Sequence, residues 1–167
     1  MGLLSKDESI VWQEFQKGKN TSAIAEDRKA KGWNPAYVSR VLNRARKKIA
    51  KALKEHANSH RLDTETLLDY KGLLIGFDYQ TSAQVYIIFT EKLGTIVWYK
   101  HDSYAGKLCP DCPKEDECRD TLDTIIREHN IQLRVDEKQL YMTEQSIAIF
   151  NKLAAKETPR YKRQGGD

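Results

Sequence analysis

Two groups of residues have the types and spacing to do chemistry. The first is Cys109-Pro110-Asp111-Cys112, followed five residues later by Cys118. A two-residue gap lets both thiolates reach one metal ion from a single turn, and the third can close on the same point. Structural zinc takes four ligands. His101 and His129 are the candidates for the fourth, and His101 is favoured because a chain entering the knuckle directly needs less rearrangement. Zinc held by Cys109, Cys112, Cys118 and His101 is the leading expectation. A disulfide between two of the cysteines, an iron–sulfur cluster and a redox-active thiol set are the alternatives.

The second group is a run of cations: Arg40, Arg44, Arg46, Lys47, Lys48, Lys51 and Lys54, opposed over that stretch only by Glu55. The whole chain of 167 residues carries a net charge of +4, yet residues 1–60 hold +7 and the remainder −3. Such a split points to a basic module that meets a polyanion, joined to a part with another task. The competing reading is a helix with a solvated charged face.

Catalytic patterns are weak by comparison. The zinc deaminases also use Pro-Cys-x-x-Cys, but they require an upstream His-x-Glu, which this chain lacks. His101-Asp102-Ser103 has the letters of a hydrolase triad in adjacent positions, where the geometry is wrong. Neither common phosphate-cradling glycine loop occurs. The expectation is a protein that is not an enzyme.

Elements must position the cations. Ser5 with Glu8 three residues on is a capping-box pattern for a first helix bearing Ile10, Val11 and Phe15, with Gly18 able to end it. Asn20 or Thr21 can cap a second helix through Ile24 and Ala25. Asn34 then caps a third, with Pro35 at its first position and Trp33 and Val38 placed for a hydrophobic staple. From Pro35 to about Ala57, Val38, Leu42, Ala45, Ile49 and Leu53 recur at three- and four-residue steps as one buried stripe. A short helix, a turn and a longer basic helix make a helix-turn-helix, whose second helix enters the major groove by its N-terminal part. Tyr37, Ser39, Arg40, Asn43 and Arg44 fall on the exposed face of that part, where Arg can bond guanine and Asn adenine in two places each. Arg46, Lys47, Lys48 and Lys51 would lie beside phosphates and set affinity. The plainer alternatives are that Tyr37 packs on Trp33, that Asn43 is a surface residue, and that the lysines solvate a helix.

The segment Val38-Ser39-Arg40-Val41-Leu42-Asn43-Arg44-Ala45-Arg46-Lys47-Lys48-Ile49 resembles the recognition helix of sigma factor region four and of LuxR-type domains. With Thr21 to Ala25, the Ile24-Ala25-Glu26 signature and Arg44-Ala45-Arg46, it is also similar to the DNA-binding part of the archaeal Tfx regulators. The resemblance covers about residues 5–57 and implies a transcription regulator that binds double-stranded DNA. The sequence departs from these families between Ile24 and Val38, where Asp27-Arg28-Lys29-Ala30-Lys31-Gly32 adds about three residues to the turn.

Composition changes near residues 58–70. Strand-like runs follow at residues 72–79, 84–91 and 95–101, joined by connections short enough for an antiparallel meander. The second is rich in β-branched and aromatic residues on both faces and is expected at the centre. Helices are expected at residues 119–129 and 144–156, with a strand or extended piece at residues 131–135. The fold expected is α+β: an all-α helix-turn-helix domain at 1–58, then at 70–157 an antiparallel sheet with covering helices and a Cys-rich knuckle, then a flexible tail at 158–167. The second part is expected to dimerise, bind metal or sense an effector, because one small DNA-binding module needs two half-sites for useful specificity. A homodimer is therefore expected. No apolar run approaches the roughly 18–20 residues of a membrane span, no leader pattern opens the chain, and three cysteines make no disulfide framework. A soluble cytoplasmic protein is expected. Two other classes stay open, an RNA-binding or protein-interaction module and a metal-dependent nucleic-acid enzyme.

Overall fold

Side chains set where the first helices begin. The computed structural model describes residues 2–100 and 115–164, with side chains as far as residue 154. Helix α1 (Lys6–Gln16) starts in a complete capping box, in which Ser5 Oγ accepts from the Glu8 N–H and Glu8 accepts from the Ser5 N–H. Helix α2 (Thr21–Asp27) is capped by Asn20, and α3 (Pro35–Ser59) by Asn34, with Pro35 in its first turn where a missing N–H costs nothing. Of the two caps read for α2, Asn20 is the one used.

Four strands form one antiparallel sheet in the order β1 (Asp63–Leu68), β2 (Leu73–Asp78), β3 (Ala83–Thr90), β4 (Gly94–Tyr99). Three were expected. The segment where the composition changes contains β1, an edge strand whose first four residues are exposed and so carry no buried alternation to reveal it. A bulge between Thr64 and Thr66 shifts its register against β2. Gly76 permits the close pairing, since a Cβ there would lie 2.6 Å from the Asp63 carbonyl oxygen. β3 lies between β2 and β4 and is buried along most of its length.

Alternation sends successive residues to opposite faces of the sheet. Leu74, Val85, Ile87 and Phe89 join the stripe of α3 and residues Val11, Trp12, Ile24 and Ala25 in one core. Leu73, Tyr86, Ile88 and Trp98 meet α4 (Glu115–Glu128) and α6 (Met142–Gln164) in a second. Within it Tyr86 and Phe150 stack face to face with ring centroids 4.3 Å apart. The result is three layers, with helices on both faces of an antiparallel sheet, an α+β arrangement.

Two further differences from expectation concern the C-terminal third. Residues 131–134 are neither strand nor helix and lead into a single helical turn, α5 (Val135–Lys138). The backbone of α6 stays helical to Gln164, over residues read as tail. Once Ile149, Phe150 and Leu153 anchor the helix, each added residue needs only propagation rather than a new nucleus. The Cys-rich knuckle is not seen. His101, Cys109 and Cys112 lie outside the described residues, and Cys118 sits half-buried on α4 against the second core.

Candidate nucleic-acid interface

At 1.5 Å per residue the 25 residues of α3 span about 37 Å. Val38, Val41, Leu42, Ala45, Ile49, Leu53 and Ala57 bury one side of it completely or nearly so. Arg40, Asn43, Arg44, Lys47, Lys51 and Lys54 are exposed and point the other way. Ser39 is exposed at the margin. Among the described residues Arg40 and Lys47 make no ion pair, and Lys51 faces only the exposed Glu55 at 3.9 Å, a pair of little strength. Arg40, Asn43, Arg44, Lys47 and Lys51 thus form one continuous basic face.

The other expected contacts are differently placed. Tyr37 is half-buried, tilted against Trp33 with ring centroids 5.3 Å apart, and donates its hydroxyl to the Asp7 carboxylate. That bond, and then burial, raises the Tyr37 pKa. Arg46 turns away from the basic face toward the sheet. Its Nη2 lies 3.2 and 3.3 Å from the two carboxylate oxygens of Asp69, and its guanidinium sits 5.6 Å over the Tyr70 ring. Lys48 lies on the opposite flank and donates to Glu8 at 2.8 Å. Arg44 Nε is 3.6 Å from the same carboxylate.

Asp7 and Glu8, both in the first turn of α1, therefore contact three of the expected interface residues, which sequence reading did not foresee. Its only trace was the Ser5–Glu8 capping pattern; nothing local links Glu8 to side chains about forty positions later. Burial by itself would raise the Glu8 carboxyl. The Lys48 and Ser5 hydrogen bonds and the Lys48 and Arg44 charges outweigh burial and hold it below the usual carboxylate range.

The connection from α2 to α3 runs over residues 28–34 and contains a 3₁₀ turn, Lys29–Lys31, closed by Gly32 at φ +80°. That is longer than the three or four residues usual in a helix-turn-helix. Lys29 and Lys31 are exposed on it.

His129 is a core residue. Its Nε2–H donates to the Phe89 carbonyl at 3.0 Å, and Nδ1 is enclosed with no partner among the described residues. Burial lowers its pKa to about 4, and the Lys71 charge adds to this against the pull of the Phe89 bond. His56 and His60 sit together at the end of α3, ring centroids 4.9 Å apart. Burial and then its neighbour lower the His56 pKa. Among the described residues no group of three or more His, Cys, Asp or Glu is disposed to hold a metal ion. No helix among them is long and apolar enough to cross a membrane.

No protein-family model, curated protein or solved structure matches this chain. What its own geometry defines is an α+β protein with a basic helix face turned to solvent.

Proposed function

We propose that the protein is a sequence-specific double-stranded-DNA-binding transcription regulator, with α3 from Pro35 in the major groove. The observation that carries this reading is the exposed row Arg40, Asn43, Arg44, Lys47 and Lys51 opposite a buried stripe. From Arg40 to Lys51 the row extends about 16 Å along the helix axis, enough to meet base edges at one end and phosphates beyond them. The likeness of residues 38–49 to known recognition helices supports the same reading. Arg46, held by Asp69, drops out of the proposed phosphate contacts; Lys48 contributes only if it leaves Glu8. Dimerisation through the rest of the chain would supply the second half-site. Zinc on Cys109, Cys112, Cys118 and His101 remains part of the proposal, to be tested by metal content: one zinc per chain is expected, with loss in Cys118→Ser.

The principal test is selection of bound duplexes from a random pool, followed by salt titration. A regulator yields an enriched sequence bound at least a thousandfold more tightly than random duplex. The triple variant Arg40→Ala, Lys47→Ala, Lys51→Ala should weaken binding to any duplex and flatten the salt dependence, by about one unit of log–log slope for each phosphate no longer neutralised. An unchanged slope removes the helix from the interface. Equal affinity for random duplex, with tighter binding to RNA, would favour the RNA-binding alternative.

A further inference from the structure

The acidic first turn of α1 is packed against the basic face of α3, where its charge opposes capture of a polyanion. Glu8 is 3% exposed. Its Oε2 accepts from the Ser5 N–H at 2.9 Å and from Lys48 Nζ at 2.8 Å, and Oε1 faces Arg44 Nε at 3.6 Å. The carboxylate is fixed by the capping box independently of the cations, so it serves as a rigid anchor rather than a mobile partner. Arg44 stays 56% exposed, and among the described residues Glu8 is its only ion-pair partner. At 3.6 Å this is an ion pair rather than a hydrogen bond, and it engages the Nε side of the guanidinium while leaving the two terminal nitrogens for another ligand. Those are the two donors that a guanine O6 and N7 require.

We propose that Glu8 is a positioning residue for base recognition: its fixed carboxylate draws the Nε side of Arg44 toward α1 and leaves the terminal guanidinium nitrogens turned to a guanine in the major groove. The proposal rests on the DNA-binding reading above and adds to it the source of selectivity. Orientation before binding matters because a long, freely rotating side chain must be ordered at the moment of contact, whereas one already held loses less. Lys48 takes the other carboxylate oxygen, so the Glu8 charge is shared between a cation that reads and a cation that balances. Asp7 does the parallel task for Tyr37, tying the start of α3 to α1.

Two effects of removing the Glu8 charge have opposite signs, and this separates positioning from simple repulsion. A carboxylate that only repels DNA, once neutralised, raises affinity for every duplex by the same factor. A carboxylate that positions Arg44, once neutralised, lowers the preference for the correct duplex. The variant is Glu8→Gln, since glutamine at this place preserves the capping box; loss of the Lys48 and Arg44 ion pairs should lower the melting temperature, and binding is compared where both proteins are folded. The probes are a duplex enriched by the wild-type protein from a random pool and a scrambled duplex of equal length and composition, compared at one salt concentration.

The expected result is unchanged or tighter binding of Glu8→Gln to the scrambled duplex, with the specific-to-scrambled ratio reduced about tenfold. Arg44→Ala should lose at least as much of that ratio. The double variant should lose no more than Arg44→Ala alone, because the two residues act as a unit. An unchanged ratio in Glu8→Gln beside a reduced one in Arg44→Ala overturns the positioning role and leaves DNA recognition standing. Additive losses in the double variant overturn it too. If no duplex is enriched, or if Arg44→Ala and Lys47→Ala both bind as wild type does, the DNA reading fails and takes this proposal with it.

Discussion

The sheet is covered on both faces, and the covers differ in what they turn to water. Each buries an apolar stripe: Val38, Leu42, Ile49 and Leu53 of α3 on one face, Leu122 and Ile125 of α4 with Phe150 and Leu153 of α6 on the other. Outward, α3 shows Arg40, Lys47, Lys51 and Lys54, while α4 shows Asp116, Glu117, Asp120 and Asp123. The inward faces do the same work by the same physics. The outward faces differ in the sign of their charge, and under the proposed function that sign selects the class of partner.

The largest effect expected concerns the common inward role. Phe150→Ala removes a ring stacked on Tyr86 from a fully buried position and should cost about 3–5 kcal/mol of stability. Leu53→Ala on the other side should cost about 2–5 kcal/mol. Because β3 contributes to both cores, each variant should shift a single transition followed at the Trp12 and Trp98 indole signals during denaturation. Separate transitions at the two indoles would break the comparison, showing the covers to be independent units.

Next in size is a pH effect confined to the acidic side. The His129 pKa falls from 6.5 in the unfolded chain to about 4 in the fold, so between these values the unfolded state binds the extra proton. Its contribution is fully present above about pH 6.5 and is lost as pH falls toward 4, by at most about 3 kcal/mol. Denaturant midpoints at pH 7, 5.5 and 4.5 should decline in that window, and less steeply in His129→Gln. Equal slopes would mean that the ring takes up its proton in the fold as readily as in water.

The smallest effect sharpens the basic side. Arg46→Ala breaks a half-exposed pair with Asp69 and should cost up to about 1 kcal/mol of stability while leaving DNA affinity unchanged. Lys47→Ala should do the reverse. A loss of affinity in Arg46→Ala comparable with that in Lys47→Ala would put Arg46 back among the phosphate contacts.

Much of this architecture is legible along the chain, because caps and periodicities are local signals. Ser5 with Glu8, Asn20 and Asn34-Pro35 mark the helix starts, and the partly alternating run at residues 72–79 and the run at 84–91, apolar on both faces, mark the two inner strands. β1 is not legible, since an edge strand that begins Asp63-Thr64-Glu65-Thr66 satisfies only one neighbour and leaves those side chains in water. What the α3 stripe packs against is equally hidden: an apolar stripe states that it is buried, not beneath what. For the same reason Arg46 reads as one more cation. It lies at the margin of the stripe, and only the fold brings Asp69 and Tyr70 to that margin.

Within α3 there is no glycine, and its only proline stands in the first turn, so the usual causes of a kink are missing from all 25 residues. The same beam that turns Arg40 and Arg44 to solvent at one end lies across the strands toward the other. It has no joint at which one end could bend while the other stays still. A displacement imposed on the sheet-packed half of α3 is therefore expected to reach Arg40 and Arg44 as a tilt or slide of the helix rather than as a bend.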